Sequence, residues 1–313
     1  MTSLRVAVAL HAYGGVYPGT VKSIAAEMAE QVRRNDGVEL YWAEPESDAL
    51  LSRCRSKLVT QAVAQGVDVL VWLDRDIDWT PGDVSDLAKR CAEVKGTLGG
   101  AFPYRSESMR GKHFPVRSLP GQSLNVHPGH DEIHEVEFVS GGFVAFWVPA
   151  LAEMVKRLEG HPNADLRVSK CAGGGVSWFW DVCRPVAIPY SPPREDGWLN
   201  YQSDDWCLMW RLRECGFKTY LWMRPLLGHT GEKRFGISDA MALKSSNAEA
   251  EAAFRNSAKV SGRDSAFRQQ LVDALKDPEF HGAAELALRD ALKVVDARKA
   301  EAMAQSSAEA AKP

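Results

Sequence analysis

Residues 67–78 read Val-Asp-Val-Leu-Val-Trp-Leu-Asp-Arg-Asp-Ile-Asp. The first seven are almost continuously apolar. That is the composition of a strand covered on both faces, as in a parallel sheet flanked by helices. At Asp74 the run stops, and Asp74, Asp76 and Asp78 alternate with Arg75 and Ile77. Parallel sheets bind ligands at the carboxyl ends of their strands. Acids at that edge suit a hard divalent cation, which takes carboxylate oxygens and often shares itself with substrate phosphates. A plain structural reading also fits: Asp78 or Thr80 caps the helix that follows.

The flanking segments repeat one pattern. Arg5–Leu10 (RVAVAL) reads as a buried first strand, His11–Thr20 as a turn-rich loop, and Val21–Arg34 as a helix with Ile24, Met28 and Val32 at helical spacing. Val38–Ala43 reads as a strand, and Ala49–Gln65 as a helix ended by Gly66. Pro81–Val94 reads as a helix with Pro81 near its start, then Gly99–Tyr104 as a strand. Such alternation predicts an α/β fold, a mostly parallel sheet flanked by helices. Further on, Glu135–Val148 is strand-like around Gly141-Gly142, Pro149–Leu158 and Trp206–Cys215 are helical, and Phe217–Met223 is a strand. From about Ser245 the composition turns to Ala, Glu, Lys, Arg and Asp. The expected organisation is therefore a domain at 1–240, in two halves at 1–104 and 105–240. A helical extension follows at 241–313, frayed at its end.

Bulk properties exclude several classes. With 313 residues, 45% hydrophobic, 25% charged and a formal charge of −3, the chain carries no global signature of nucleic-acid or membrane binding. No segment has the roughly 20 consecutive apolar residues of a membrane helix. Met1–Arg5 leads into a strand without a cleavage site, so a cytoplasmic protein is expected. The six cysteines form no CxxC pair and read as reduced, mostly buried thiols.

Two later segments add chemistry. Ser203-Asp204-Asp205-Trp206 opens a helix, and two adjacent acids exceed what an N-cap needs. Held near an acceptor hydroxyl, such an acid is a usable general base. His229, in Leu227-Gly228-His229-Thr230-Gly231, can complete a cation site with a carboxylate if its imidazole is neutral.

Four pieces, Arg53-Cys-Arg-Ser-Lys-Leu-Val59, Val69-Leu-Val-Trp-Leu-Asp-Arg-Asp-Ile77, Val139-Ser-Gly-Gly-Phe143, and Ser203-Asp-Asp-Trp-Cys-Leu-Met-Trp-Arg-Leu-Arg-Glu-Cys-Gly-Phe217 with Leu227-Gly-His229, stand in order along the chain. Together they resemble the GT-A glycosyltransferases, especially small bacterial and phage-type members with a DxD motif, over roughly residues 4–232. The resemblance implies a Rossmann-like GT-A fold, a nucleotide-sugar donor, with a UDP-sugar first among candidates, and Mn²⁺ or Mg²⁺ as cofactor. It implies that Asp74 faces the ribose or donor sugar, and that Asp76 ligates the cation with His229 as second protein ligand. Asp205 takes the place of the catalytic base of inverting members, beside Asp204, where the family more often has Glu. His11, Tyr13 and Arg55 fall where such enzymes contact the base and diphosphate. Arg75 either faces solvent or joins them. The extension has no family counterpart. Inverting and retaining stereochemistry both fit.

The acceptor reads as a glycan, a lipid-linked precursor, a protein or a hydroxymethylated DNA base. The loop carrying Arg105, Arg110, Lys112 and Arg117 would suit an anionic acceptor or a lid over the diphosphate. Of Trp178, Phe179 and Trp180, alternating across a strand, at least one belongs to the core, and the others could stack on a sugar or base. His127, His130 and His134 do not read as a metal site, because Pro128-Gly129 breaks the helix that would put His130 and His134 on one face, and no cysteine is adjacent. A nucleotidyltransferase would need a glycine-rich phosphate loop with Arg or Lys after the first strand, and none is present. A non-catalytic nucleotide-sugar or DNA-binding module is the remaining alternative.

Overall fold

A computed structural model describes residues 3–11, 15–43, 48, 50–103, 114–124, 127–173, 176–189, 197, 199–230 and 234–236. The expected extension at 241–313, Tyr13, and Arg105, Arg110 and Lys112 of the basic loop lie outside them.

The alternation read from the sequence is realised as β1 (Leu4–His11), α1 (Pro18–Arg34), β2 (Val38–Trp42), α2 (Leu51–Gln65) and β3 (Val69–Asp74). After the short β4 (Ile77–Asp78) come α3 (Asp83–Val94), β5 (Thr97–Gly100), β6 (Ile133–Val136), β7 (Phe143–Trp147) and α4 (Val148–Leu158). Then follow β8 (Lys170–Gly173), β9 (Val176–Trp180), β10 (Val186–Pro189), β11 (Leu199–Gln202), α5 (Asp204–Glu214), β12 (Thr219–Trp222), β13 (Gly228–Thr230) and β14 (Arg234–Gly236).

Seven strands form the central sheet in the order β2-β1-β3-β7-β5-β12-β6. β2, β1, β3, β5 and β12 run one way, and β7 and β6 run against them. The chain moves from β1 outward to β2 and then to β3 on the other side of β1. The carboxyl ends of β1 and β3 therefore flank a topological switch point, where open α/β sheets bind ligands. His11 and Asp74 are register partners there.

The apolar run at 67–73 has the predicted cause. Leu70 and Trp72 enter a core with Leu58 and Val59 of α2, Leu151 and Met154 of α4, and Leu208 and Met209 of α5. Val69, Val71 and Leu73 face the opposite core, with Val84, Leu87 and Cys91 of α3. Each fully buried side chain of this size contributes about 1.5–3 kcal/mol.

Three differences from the expected boundaries bear on the site. β5 ends at Gly100, not Tyr104; Pro103 cannot donate to a ladder, and residues 101–103 leave the sheet. The expected strand at 135–148 splits into β6 and β7, and the intervening segment carries Gly141-Gly142 out to the sheet edge. α5 starts at Asp204, two residues early, so both acids lie in its first turn.

Neither Asp78 nor Thr80 caps α3. The fully buried Glu27 of α1 does so across the fold, accepting from the Gly82 and Ser85 amides at 2.7 and 3.1 Å and from the Ser85 hydroxyl at 3.0 Å. Among the described residues all six cysteines are free thiols, five of them buried. No described helix is long and apolar enough to cross a membrane.

Candidate active site

The turn after β3 is placed by backbone and hydroxyl bonds. Tyr17 N–H donates to the Arg75 carbonyl at 2.9 Å, and the Thr20 hydroxyl lies 2.8 and 2.7 Å from the carbonyls of Arg75 and Ile77. β4 then pairs antiparallel with β13, setting His229 opposite Ile77. The Thr230 amide donates to the Asp76 carbonyl at 2.8 Å. This small ladder brings His229 Nε2 to 3.5 Å from Asp76 Oδ2, although the two residues are far apart in sequence.

His229 is further fixed by its other nitrogen. Nδ1 lies 2.8 Å from the Pro103 carbonyl oxygen, which only accepts, so Nδ1 carries the proton. In the neutral ring Nε2 then presents a lone pair toward the Asp76 carboxylate. Two electron-pair donors facing one another at this distance fit a shared cation, and the carbonyl behind the imidazole is the usual arrangement for orienting a ligand histidine. Phe102 packs its ring edge against His229 at 5.2 Å between centroids. Asp74, Asp76, Phe102, Pro103, Pro115, Ser140 and His229 line a cavity of about 230 Å³.

Behind this cavity lies a buried ionic cluster centred on Arg55 of α2, only 3% exposed. Its Nη2 is 3.2 Å from Asp74 Oδ1, and its Nη1 is 2.7 Å from Asp204 Oδ2 and 3.9 Å from Asp205 Oδ2. The guanidinium carbon lies 5.2 Å from the centre of the Trp72 ring. Sequence reading turned Arg55 toward the diphosphate. In the structure its two terminal nitrogens face protein carboxylates.

His11 approaches Asp74 at 3.7 Å, beyond hydrogen-bonding distance, and packs edge-on against Trp72. Burial depresses the His11 pKa, and the nearby Asp74 only partly offsets this, so the ring is neutral at neutral pH. Burial pushes Asp74 upward, but the Arg55 guanidinium at 3.2 Å outweighs it and holds the carboxyl well below its usual range. Asp74 is ionised throughout the physiological range.

Asp205 is held on both oxygens. Oδ2 accepts from the Gly141 amide at 2.8 Å, and Oδ1 accepts from the Ser203 hydroxyl at 2.5 Å and the Trp206 amide at 2.9 Å. Ser203 stands at the N-cap position of α5, but its hydroxyl serves Asp205 instead of capping the helix. Two glycines let these parts meet. A Cβ on Gly141 would stand 2.8 Å from Arg55 Nη2 and 2.9 Å from Asp205 Cβ. One on Gly142 would stand 2.7 Å from the Phe102 ring and 3.0 Å from Asp74 Oδ2. The quoted Val139–Phe143 segment thus threads between the acid of β3 and those of α5.

The structure brings together His11, Arg55, Asp74, Asp76, Asp204, Asp205 and His229. Asp204 and Asp205 sit behind Ser140-Gly141 and do not line the cavity. Arg75 turns toward the segment that leads into α1, its guanidinium 5.7 Å from the Tyr17 ring centre and Nη1 3.4 Å from the Gly15 carbonyl. Trp178 and Trp180 pair edge to face away from the cavity, while Phe179 is buried. Arg117, in the basic loop, is paired with Glu137 at 2.9 Å. His127, His130 and His134 form no metal-binding group among the described residues. Sequence reading missed Phe102 and Pro103; their place at the carboxyl end of a predicted strand was the available signal.

No protein-family model matches the chain, and no curated protein matches it. Solved structures with a similar fold include A197 from STIV, with TM-score 0.40 and 12% identity, covering 74% of this chain and 88% of that one. GalNAc-T7 with UDP, GalNAc and Mn²⁺ gives TM-score 0.37 and 11% identity, covering 72% of this chain and 43% of that one. A glycosyltransferase involved in glycosylation of the major capsid of PBCV-1 gives 0.27 and 14%, covering 51% of this chain and 68% of that one.

Proposed function

We propose that this chain is a metal-dependent glycosyltransferase that moves a sugar from a nucleoside-diphosphate sugar, a UDP-sugar first among candidates, to an acceptor hydroxyl. The observation that carries the reading is the meeting of Asp76 and His229 in the wall of a cavity, with the acid pair of α5 one segment behind. Asp76 and His229 would hold Mn²⁺ or Mg²⁺. When bound, such a cation neutralises charge developing on the departing nucleoside diphosphate.

The remaining roles belong to the chain itself. Asp74, in the cavity wall and ionised, accepts hydrogen bonds from donor hydroxyls. His11, neutral beside it, lines the base and diphosphate side. In the inverting form of the reaction Asp205 takes the proton of the attacking acceptor hydroxyl on Oδ2, which keeps a lone pair beside the one that accepts from the Gly141 amide. Arg55 acts through its neighbours, holding Asp74 and Asp204 in one frame so that donor and acceptor sides keep their spacing.

A nucleotide-release screen tests this. Purified protein with a panel of UDP- and GDP-sugars in Mn²⁺ is expected to liberate nucleoside diphosphate from at least one donor, and EDTA to stop it. Release of pyrophosphate instead would mark a nucleotidyltransferase. Donor binding without release would leave a non-catalytic nucleotide-sugar module, and neither release nor binding of any donor would overturn the reading.

A further inference from the structure

A second, larger cavity, of about 410 Å³, opens between β11, the outer face of α5, the 161–167 loop and the paired segments at Arg117 and Phe138. Its volume falls in the range of small-molecule sites. Trp210 and Ile188 supply apolar surface. Asn200 and Asp165 add a polar amide and a carboxylate beside the aromatic rings.

The cleft is built in advance. Phe138 and Trp206 stack at 4.9 Å with their planes 10° apart, one helical turn before Trp210. The fully buried Arg211 ties the Asp165 carbonyl at 2.8 Å and the Val182 carbonyl at 2.8 Å to α5. A preformed wall lowers the ordering cost of binding.

Charge narrows the occupant. Two cations, Arg117 and Arg213, face three carboxylates, Glu137, Asp165 and Glu214, and Arg117 is already paired with Glu137. Binding to a phosphate backbone rests on uncompensated Lys and Arg, which this cleft lacks. Lipid would need a continuous apolar wall. An aromatic face ringed by mixed donors and acceptors suits an uncharged polyhydroxylated ligand.

Position ties the cleft to the site. Asp204 and Asp205 lie between Asn200 and Trp210 in the chain, on the elements that carry them. Arg117 and Phe138 bond to each other, and two residues away along each segment stand Pro115 and Ser140, which line the Asp74 cavity. In extended chain two residues span roughly 7 Å.

We infer that the acceptor is an uncharged saccharide of two or more units, whose remote part occupies this cleft against Trp210 while its reacting hydroxyl reaches toward the acids of α5. The inference rests on the glycosyltransferase reading for the word acceptor, but the cleft can be tested alone.

Ligand-observed NMR on the full chain, with neutral oligosaccharides of glucose, galactose, mannose and N-acetylglucosamine of two to four units, reads the cleft directly. At least one is expected to bind, with Trp210→Ala weakening it by about tenfold or more and Asn200→Ala also weakening it. Circular dichroism checks that both variants fold, and Asn200→Ala keeps the test open should the tryptophan variant fail. Absence of saccharide binding, or binding indifferent to both substitutions, overturns the inference. So does binding of hydroxymethylated duplex DNA in place of any saccharide. Donor binding in Mn²⁺ is measured separately on the wild-type protein. Donor bound with no saccharide bound removes the cleft and leaves the glycosyltransferase reading standing. Saccharide bound through Trp210 with no donor bound does the reverse.

Discussion

Asp205→Asn is expected to lower sugar transfer by about 10²–10⁴-fold, the usual contribution of a general base, while cation-dependent donor binding persists. The substitution keeps the shape and removes the proton acceptor. It does carry a local cost. Asp205 accepts from Gly141, Ser203 and Trp206, and an amide can keep its oxygen toward only part of that set. One donor would then face an NH₂ group, at about 1–3 kcal/mol for an unsatisfied buried partner. The two effects separate by measurement. Turnover lost with donor affinity and melting temperature nearly kept identifies Asp205 as the base. Donor affinity lost together with turnover assigns it the lesser role of holding the Ser140-Gly141 segment. Asp204→Asn, whose carboxylate is occupied by Arg55 at 2.7 Å, serves as the comparison and is expected to cost less in turnover.

Arg55→Met is expected to destabilise the protein by about 3–5 kcal/mol, the range for breaking a buried ion pair by removing one partner. Arg55 is the cation on which Asp74, Asp204 and, at 3.9 Å, Asp205 converge. Without it, negative charges face one another across a nearly dry space. Asp74, now held well below its usual range partly by Arg55, would rise toward and beyond it. The sign of the pH effect follows. A carboxylate with a depressed folded-state pKa contributes stability above its unfolded value, and that contribution is lost as pH falls through the folded value. The wild type should therefore exceed the variant most at neutral pH, and the gap should close on acidification. Denaturant titrations at neutral and acidic pH check this. Arg55→Lys restores the charge but not the two-armed fork, so stability should recover further than turnover.

Much of this was legible in the sequence, for local reasons. The run at 67–73 announced a strand buried on both faces, because each face of β3 meets a separate apolar core. Its abrupt end in acids placed them at the ligand edge. The pair at 204–205 stood out because a helix start needs one acid at most. What was not legible depends on pairing across long separations. No local pattern tells that three residues around His229 will form a ladder with two residues after Asp76. Nor does Glu27, in the middle of one helix, signal that it caps another. Arg55 read as a ligand contact because the resemblance put it where such enzymes contact the diphosphate. Its burial follows from carboxylates that arrive from residues 74 and 204, which only the fold brings together.

The cation site is tested most directly by calorimetry of the donor found in the release screen, with Mn²⁺ or with EDTA. Binding in Mn²⁺ that weakens about tenfold or more in EDTA, in Asp76→Asn and in His229→Ala is the expected result. Equal donor affinity under all these conditions would contradict a cation held between Asp76 and His229.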